Sequence, residues 1–248
     1  MKKTFIGIVS ALYAVSVIFC SCSSDSDNSV LDESNVKRET LYQVSYLQSL
    51  IDGNYDGIIP VSEMMKHGNI GLGTFHRANG EMTVLDGKVY QTLWDGSVVV
   101  ADNEETVPFA NVTYFDADTT FKVEGIGSMD ELAEKLNVVV DKDRNCVYVA
   151  RLEGTIDNLI VRSELAQDKP YKPLAEVLAT DQREFTYPNQ TGTIVAIYCP
   201  DYMDKLNAVG WHFHFISEDR TKGGHILNLR TGSLDCTVDI TPYFFMEK

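Results

Sequence analysis

Cysteine, histidine and basic charge are all scarce in this chain, and each scarcity removes a class of function. There are five cysteines among 248 residues, with no C-x-x-C spacing anywhere. Neither a disulfide framework nor a thiolate metal site is therefore written here. Cys20 and Cys22 belong to the N-terminal leader; Cys146, Cys199 and Cys236 are scattered and read as buried, inert thiols, with room for one disulfide in an oxidising compartment. Lys and Arg total 21 against 36 Asp and Glu, a formal net charge of -15. No basic patch is left to release phosphate counterions, so nucleic acid is excluded as a partner. No repeat of about 20–50 residues occurs, which excludes solenoids and propellers. An acidic chain that handles a small anion needs a local cation, and that cation has to be found.

What is present begins with a leader. "MKKTFIGIVSALYAVSVIFCSC" carries Lys2 and Lys3, an apolar run from Phe5 to Phe19, and then two cysteines. It reads as a secretory signal, too short for a comfortable membrane span. The expected organisation is a lipoprotein signal over 1–21, with Cys22 as the lipid-bearing residue and Cys20, behind bulky Phe19, as the lesser candidate. A polar tether follows over 22–37. Cleavage before Cys22 removes two lysines and no acids, taking the charge from -15 to -17. Simple secretion without a lipid is the competing expectation.

The body is long enough for one sizeable core, or two small ones sharing an interface. "TLYQVSYLQSLIDG" (40–53) mixes strand and helix signals, and "SEMMKHG" predicts a short helix capped by Ser62. From Ile70 to Val100, strand-like runs are punctuated by "NG", "DG" and "DG", the signature of hairpins. "SMDELAEKLN" predicts a helix, with Ser128 and Glu131 placed as a capping box. "NCVYVARLEGTIDNLIVRS" reads as a long strand and "KPLAEVL" as a short helix. "REFTY", "GTIVAIYC", "GWHFHFIS", "GHILNLR" and "LDCTVDI" read as short strands. No strand–helix alternation supports a doubly wound sheet. The expected class is α+β, with an N-terminal mixed-sheet part over 38–165 and a C-terminal antiparallel β-barrel over 166–248. The glycines of "GNIGLGTF" lack G-x-G-x-x-G spacing and read as strand glycines, not a phosphate loop.

Three of the five histidines crowd into "WHFHFISEDRTKGGH". On a strand, His212 and His214 share a face about 7 Å apart, with Trp211, Phe213 and Phe215 on the other. The turn residues of "SEDRTKGG" then bring His225 back beside them. Three imidazoles with an open position is the donor set of a catalytic zinc site. The competing reading is a set of hydrogen-bonded core histidines.

"GLGTFHRANGEMTVLDGKVYQ", "VPFANVTYFDAD", "VRSELAQDKPYKPL" and "GWHFHFISEDRTKGGHIL" together resemble alpha-acetolactate decarboxylase, in that family's order and over most of residues 40–230. The resemblance implies a homodimeric, zinc-dependent lyase converting 2-acetolactate to acetoin, with His212, His214 and His225 as ligands of Zn2+ or another divalent ion. It also implies an N-terminal mixed sheet and a C-terminal barrel. It places Arg162 as the active-site arginine, which meets the demand for a cation, Glu81 as the proton-handling carboxylate, and Thr74 beside the substrate. Family members usually extend past the last strand, where a further glutamate approaches the metal; Glu247 is the candidate stand-in here. Two other classes remain open at this stage. One is another three-histidine metal enzyme on a barrel, an oxygenase or isomerase. The other is a lipid-anchored protein with a structural metal.

Overall fold

The computed structural model describes residues 18–19 and 33–248. Cys20, Cys22 and the tether as far as residue 32 lie outside the described residues. Strands dominate and helices are few, in agreement with the α+β class. Two large sheets carry the structure. The first runs Ile18–Phe19, Tyr243–Glu247, Thr40–Val44, Phe109–Thr113, Ile70–Thr74, Glu81–Leu85, Lys88–Thr92 and Val98–Val100. It is mixed, because Tyr243–Glu247 lies parallel to Thr40–Val44 while the other pairs are antiparallel. The hairpin signals land where expected: Asp86 and Gly87 both take positive φ, 52° and 75°, and join Glu81–Leu85 to Lys88–Thr92. That is the backbone an Asp-Gly turn of the primed type requires.

The second sheet is wholly antiparallel, in the order Thr119–Ile126, Gly223–Thr241, Val147–Glu164, Gln182–Cys199 and Gly210–Ser217. It curls far enough for Gly210–Ser217 to meet Gly223–Thr241 over three residue pairs. Two expectations are corrected in detail. "REFTY" and "GTIVAIYC" are one strand of 18 residues, and "GHILNLR" and "LDCTVDI" one of 19. The change of sheet falls between Thr113 and Thr119. Val147–Glu164 already belongs to the second sheet, and Tyr243–Glu247 crosses back to the first. Strand periodicity reports which face is buried, not which sheet a strand joins.

The predicted helix forms over Met129–Val140, with Ser128 Oγ accepting from the Glu131 N–H and Glu131 Oε2 accepting from Gly127 N–H. It covers one face of the second sheet, where Leu132 and Leu136 join Phe213, Phe215, Leu229 and Ile226 in one core. The sheet's other face packs on the first sheet through Val149, Val195, Ile197 and Ile216 against Leu41, Ile70 and Leu72. Cys199 and Cys236 are free and buried, and burial pushes both thiols up, Cys236 to about 12. Held as thiols in this way, neither is a nucleophile near neutrality. Cys146 is buried as well, but it is disulfide-bonded and so not the inert thiol expected of it. The helix expected from "SEMMKHG" starts earlier, at Val61, after Pro60 in the capping position. Pro60 is still extended, at φ -72° and ψ 155°, and Ser62 lies one residue inside the helix and does not cap it.

Candidate metal and catalytic site

The site lies at one end of the interface between the sheets, and strand register assembles it. On Gly210–Ser217, His212 and His214 share a face; His214 stands directly opposite His225 on Gly223–Thr241. His225 in turn stands opposite Arg162 on Val147–Glu164. Directly opposed residues project from the same side of a sheet, so two imidazoles and a guanidinium form one line across three strands. A bulge makes this alignment. Ile160 pairs with Asn228 but Val161 with Ile226, so Leu227 is passed over. One extra residue reverses the alternation: Ile226 and Leu229 both face the core, and His225 turns outward toward the site. Gly224, at φ +132°, lets the two strands close here, since a Cβ on it would lie 2.5 Å from the Arg162 carbonyl oxygen.

The first sheet supplies the opposite wall. Thr74 and Glu81 are directly paired. Glu81 reaches across, its Oε2 3.4 Å from His214 Nε2 and its Oε1 3.8 Å from Arg162 Nε. Thr74 lines the same cavity, its hydroxyl donating to the Gly80 carbonyl at 2.8 Å. The structure thus brings together all six residues singled out in the sequence. Glu247 is not among the residues lining the cavity; its carboxylate accepts from the Tyr42 hydroxyl at 3.2 Å. The second carboxylate in the cavity wall is Glu164, which the sequence reading passed over. The signal was there: on a strand, Glu164 shares a face with Arg162, two positions back. The cavity measures about 90 Å3, and Leu47, Leu50, Phe109 and Leu174 make its apolar side.

The three imidazoles crowd one another. His212 Nε2 lies 2.9 Å from His225 Nδ1 and 3.2 Å from His214 Nε2. His214 Nδ1 faces the Met82 carbonyl at 2.7 Å, which fixes its proton there and leaves Nε2 as a lone pair directed at its neighbours. One donor atom from each ring lies within 4.8 Å of the others, so the three can hold a metal ion. Charge argues the same way. His214 is 1% exposed, and what exposure His212 and His225 keep is toward the narrow cavity. Burial, reinforced for His214 by His212, for His225 by both other rings and for all three by Arg162, holds them below the ordinary imidazole value, His212 at about 4. They are neutral, as ligands must be.

The carboxylates shift the other way. Burial raises Glu81 well above the usual range, and neighbouring Glu164 adds to this against the pull of Arg162. Glu164 is raised too, by burial, with Arg162 and its contact to Glu81 opposing. Both buried carboxyls therefore hold a proton more readily than a solvated one.

Depressed histidines make a stability prediction for the metal-free protein. Unfolded imidazoles take up protons below about pH 6.5, whereas these three resist until much lower pH. Their contribution is present above that value and is lost as the pH falls toward 4. Urea melts of metal-stripped protein should show the midpoint dropping between pH 7 and pH 5. A flat midpoint in which His212→Ala changes nothing would contradict the burial argument.

A cavity of about 90 Å3 with one apolar wall, one cation and two buried carboxyls has room for a molecule of a few heavy atoms and chemistry to offer it. The fold and the site define an enzyme acting on a small molecule, with a place for a metal ion. A sequence profile described as alpha-acetolactate decarboxylase matches residues 41–247. The chain is 41% identical to alpha-acetolactate decarboxylase of Methanosarcina mazei over 221 residues, 89% of this chain and 76% of that protein. It is 36% identical to the Bacillus subtilis protein of the same name, over 81% of this chain and 77% of that one. The solved structure of alpha-acetolactate decarboxylase from Bacillus subtilis strain 168 superposes with a TM-score of 0.80 at 33% identity, covering 84% of this chain and 88% of that one. The chain belongs to the alpha-acetolactate decarboxylase family.

Proposed function

We propose that the protein decarboxylates 2-acetolactate to acetoin and carbon dioxide, with His212, His214 and His225 holding a divalent ion, zinc by the chemistry of three neutral imidazoles. The observation that carries this reading is the three-histidine cluster set in one cavity with Arg162 and Glu81, in a member of this family. The donor set fits such an ion: His212 Nε2, His214 Nε2 and His225 Nδ1 converge, and burial favours the neutral rings. An ion there supplies Lewis acidity toward the negative charge that builds on the substrate's former ketone oxygen.

The chain's own groups supply the rest. Acetolactate is a β-keto acid with a tertiary hydroxyl; losing carbon dioxide leaves an enediolate, and one proton at carbon completes acetoin. Arg162 offers a guanidinium to the carboxylate on entry and to the enediolate oxygens afterward. Glu81, whose carboxyl burial holds above the usual range, is the donor. Leu47, Leu50, Phe109 and Leu174 take the substrate's methyl groups and keep water from the enediolate. Thr74 helps seat the substrate from beside Glu81. Three histidines in the cluster speak against the two-histidine, one-carboxylate set of an oxygenase.

Purified protein, assayed for acetoin and analysed for metal, tests the reading. We expect one divalent ion per chain and predominantly one acetoin enantiomer, because Glu81 approaches from a fixed side. Racemic acetoin, or none, would reject it. The C-terminal sheet is taken here as a barrel, the protein as a homodimer, and the mature chain as starting at lipidated Cys22 on the outer side of a membrane. An acyl-bearing terminus holds a globular body at a membrane without a spanning helix; mass spectrometry showing an unmodified start downstream of Cys22 would reject the anchor.

A further inference from the structure

Glu164 is the buried charged group of the pocket that the mechanism above leaves without a task. It is 4% exposed, ends the strand Val147–Glu164, and lines the cavity beside Arg162. Its Oε1 lies 3.1 Å from Arg162 Nε, against 3.8 Å for Glu81 Oε1. One guanidinium thus faces two carboxylates at unequal distances. Neither Arg162 Nε nor Glu164 Oε1 has a hydrogen-bond partner among the described residues, so their contact is one of charge and not a directed bond. The fold does not require a carboxylate here. Glu164 pairs through its backbone with Gln182, and an apolar side chain would fill the position without taking a charge out of water.

We propose that Glu164 is a positioning residue for the reaction: it holds the Arg162 guanidinium toward the cavity and keeps it from closing on Glu81. The inference rests on the decarboxylase reading above and deepens it. Opposite charges attract strongly where water is excluded. With Glu164 made neutral, Glu81 becomes the nearest anion to Arg162, and the 3.8 Å gap closes. Guanidinium and carboxylate then satisfy each other. The arginine is then a poorer partner for the incoming carboxylate. With Glu164 charged, the Nε side of the guanidinium is engaged and its outer nitrogens remain for the substrate.

A double-mutant cycle on the full-length, metal-loaded enzyme tests this: wild type, Arg162→Gln, Glu164→Gln and the double variant, with Glu164→Asp alongside. Three quantities are read: KM and kcat for acetolactate, bound metal, and the Kd of 2-hydroxyisobutyrate, a tertiary hydroxy acid with no ketone and so no reaction. Glu164→Gln should raise KM and the probe's Kd about tenfold in the wild-type background and by no more than about twofold beside Arg162→Gln. Metal content should be unchanged, and Glu164→Asp should recover part of the loss. An equal effect in both backgrounds would overturn the proposal, as would a wild type that does not bind the probe. If Glu164→Gln fails to fold, Glu164→Asp is compared in the same two backgrounds, where a loss of about threefold confined to the arginine-bearing one is expected. A wild type that binds the probe but forms no acetoin defeats the decarboxylase reading alone, and the Kd cycle still decides the role of Glu164.

Discussion

Alanine at position 214 should remove the metal and the activity together while leaving most of the fold in place. His214 is the centre of the cluster: it stands opposite His225, lies 3.2 Å from His212, and is anchored by its own bond to the Met82 carbonyl. Losing one of three imidazoles leaves two, too few to hold a divalent ion against dilution. Losing the ion's Lewis acidity is worth several kcal/mol of barrier, a fall in kcat/KM of about a thousandfold or more. The structural cost is smaller. The Met82 carbonyl loses its donor, which costs about 1–3 kcal/mol for a buried group, and the surrounding strands keep their ladders. Elemental analysis, an acetoin assay and a thermal melt on the same sample decide the matter. Stoichiometric metal in the His214→Ala protein would mean that the ion sits elsewhere.

Glu81→Gln should retain metal and lose roughly a hundredfold or more in kcat, the range for removing a positioned proton donor. The amide keeps the size and reach of the carboxyl, so strand pairing with Thr74 and Thr92 is unaffected, but it cannot deliver a proton. The enantiomeric excess of acetoin should fall with the rate, since protonation by water is not confined to one face. Arg162→Lys tests the other half of the division of labour. A lysine preserves charge beside Glu81 and Glu164 but offers a point where the guanidinium offers a planar fork. A loss of about a hundredfold is expected, the scale of removing one preorganised donor from a developing oxyanion. Full activity in Glu81→Gln, or an unchanged product enantiomer with a much reduced rate, would remove Glu81 from the proton step.

The pattern of residues along the chain already carried much of this. His212 and His214 on one strand face, Asp-Gly and Asn-Gly at the hairpins, and the capped helix at Ser128 are local features, and local sterics and alternation determine them. The matched blocks carried Arg162, Glu81 and Thr74. What the sequence could not carry is everything that depends on which strand lies beside which. Nothing in "VRSE" announces that Glu164 will face Arg162 in a cavity wall and not solvent, because a two-residue period gives the shared face but not what covers it. The same holds for Glu247, whose strand joins the first sheet by parallel pairing with Thr40–Val44, where its carboxylate meets Tyr42. The clearest case is Leu227. Unbroken alternation through "GGHILNLR" would set His225 and Leu229 on the same face, yet Leu229 is buried in the core and His225 stands with Arg162 and His214. The bulge that separates them is decided by two long strands settling into register against each other, an interaction between residues 160 and 228 that no short window of sequence contains.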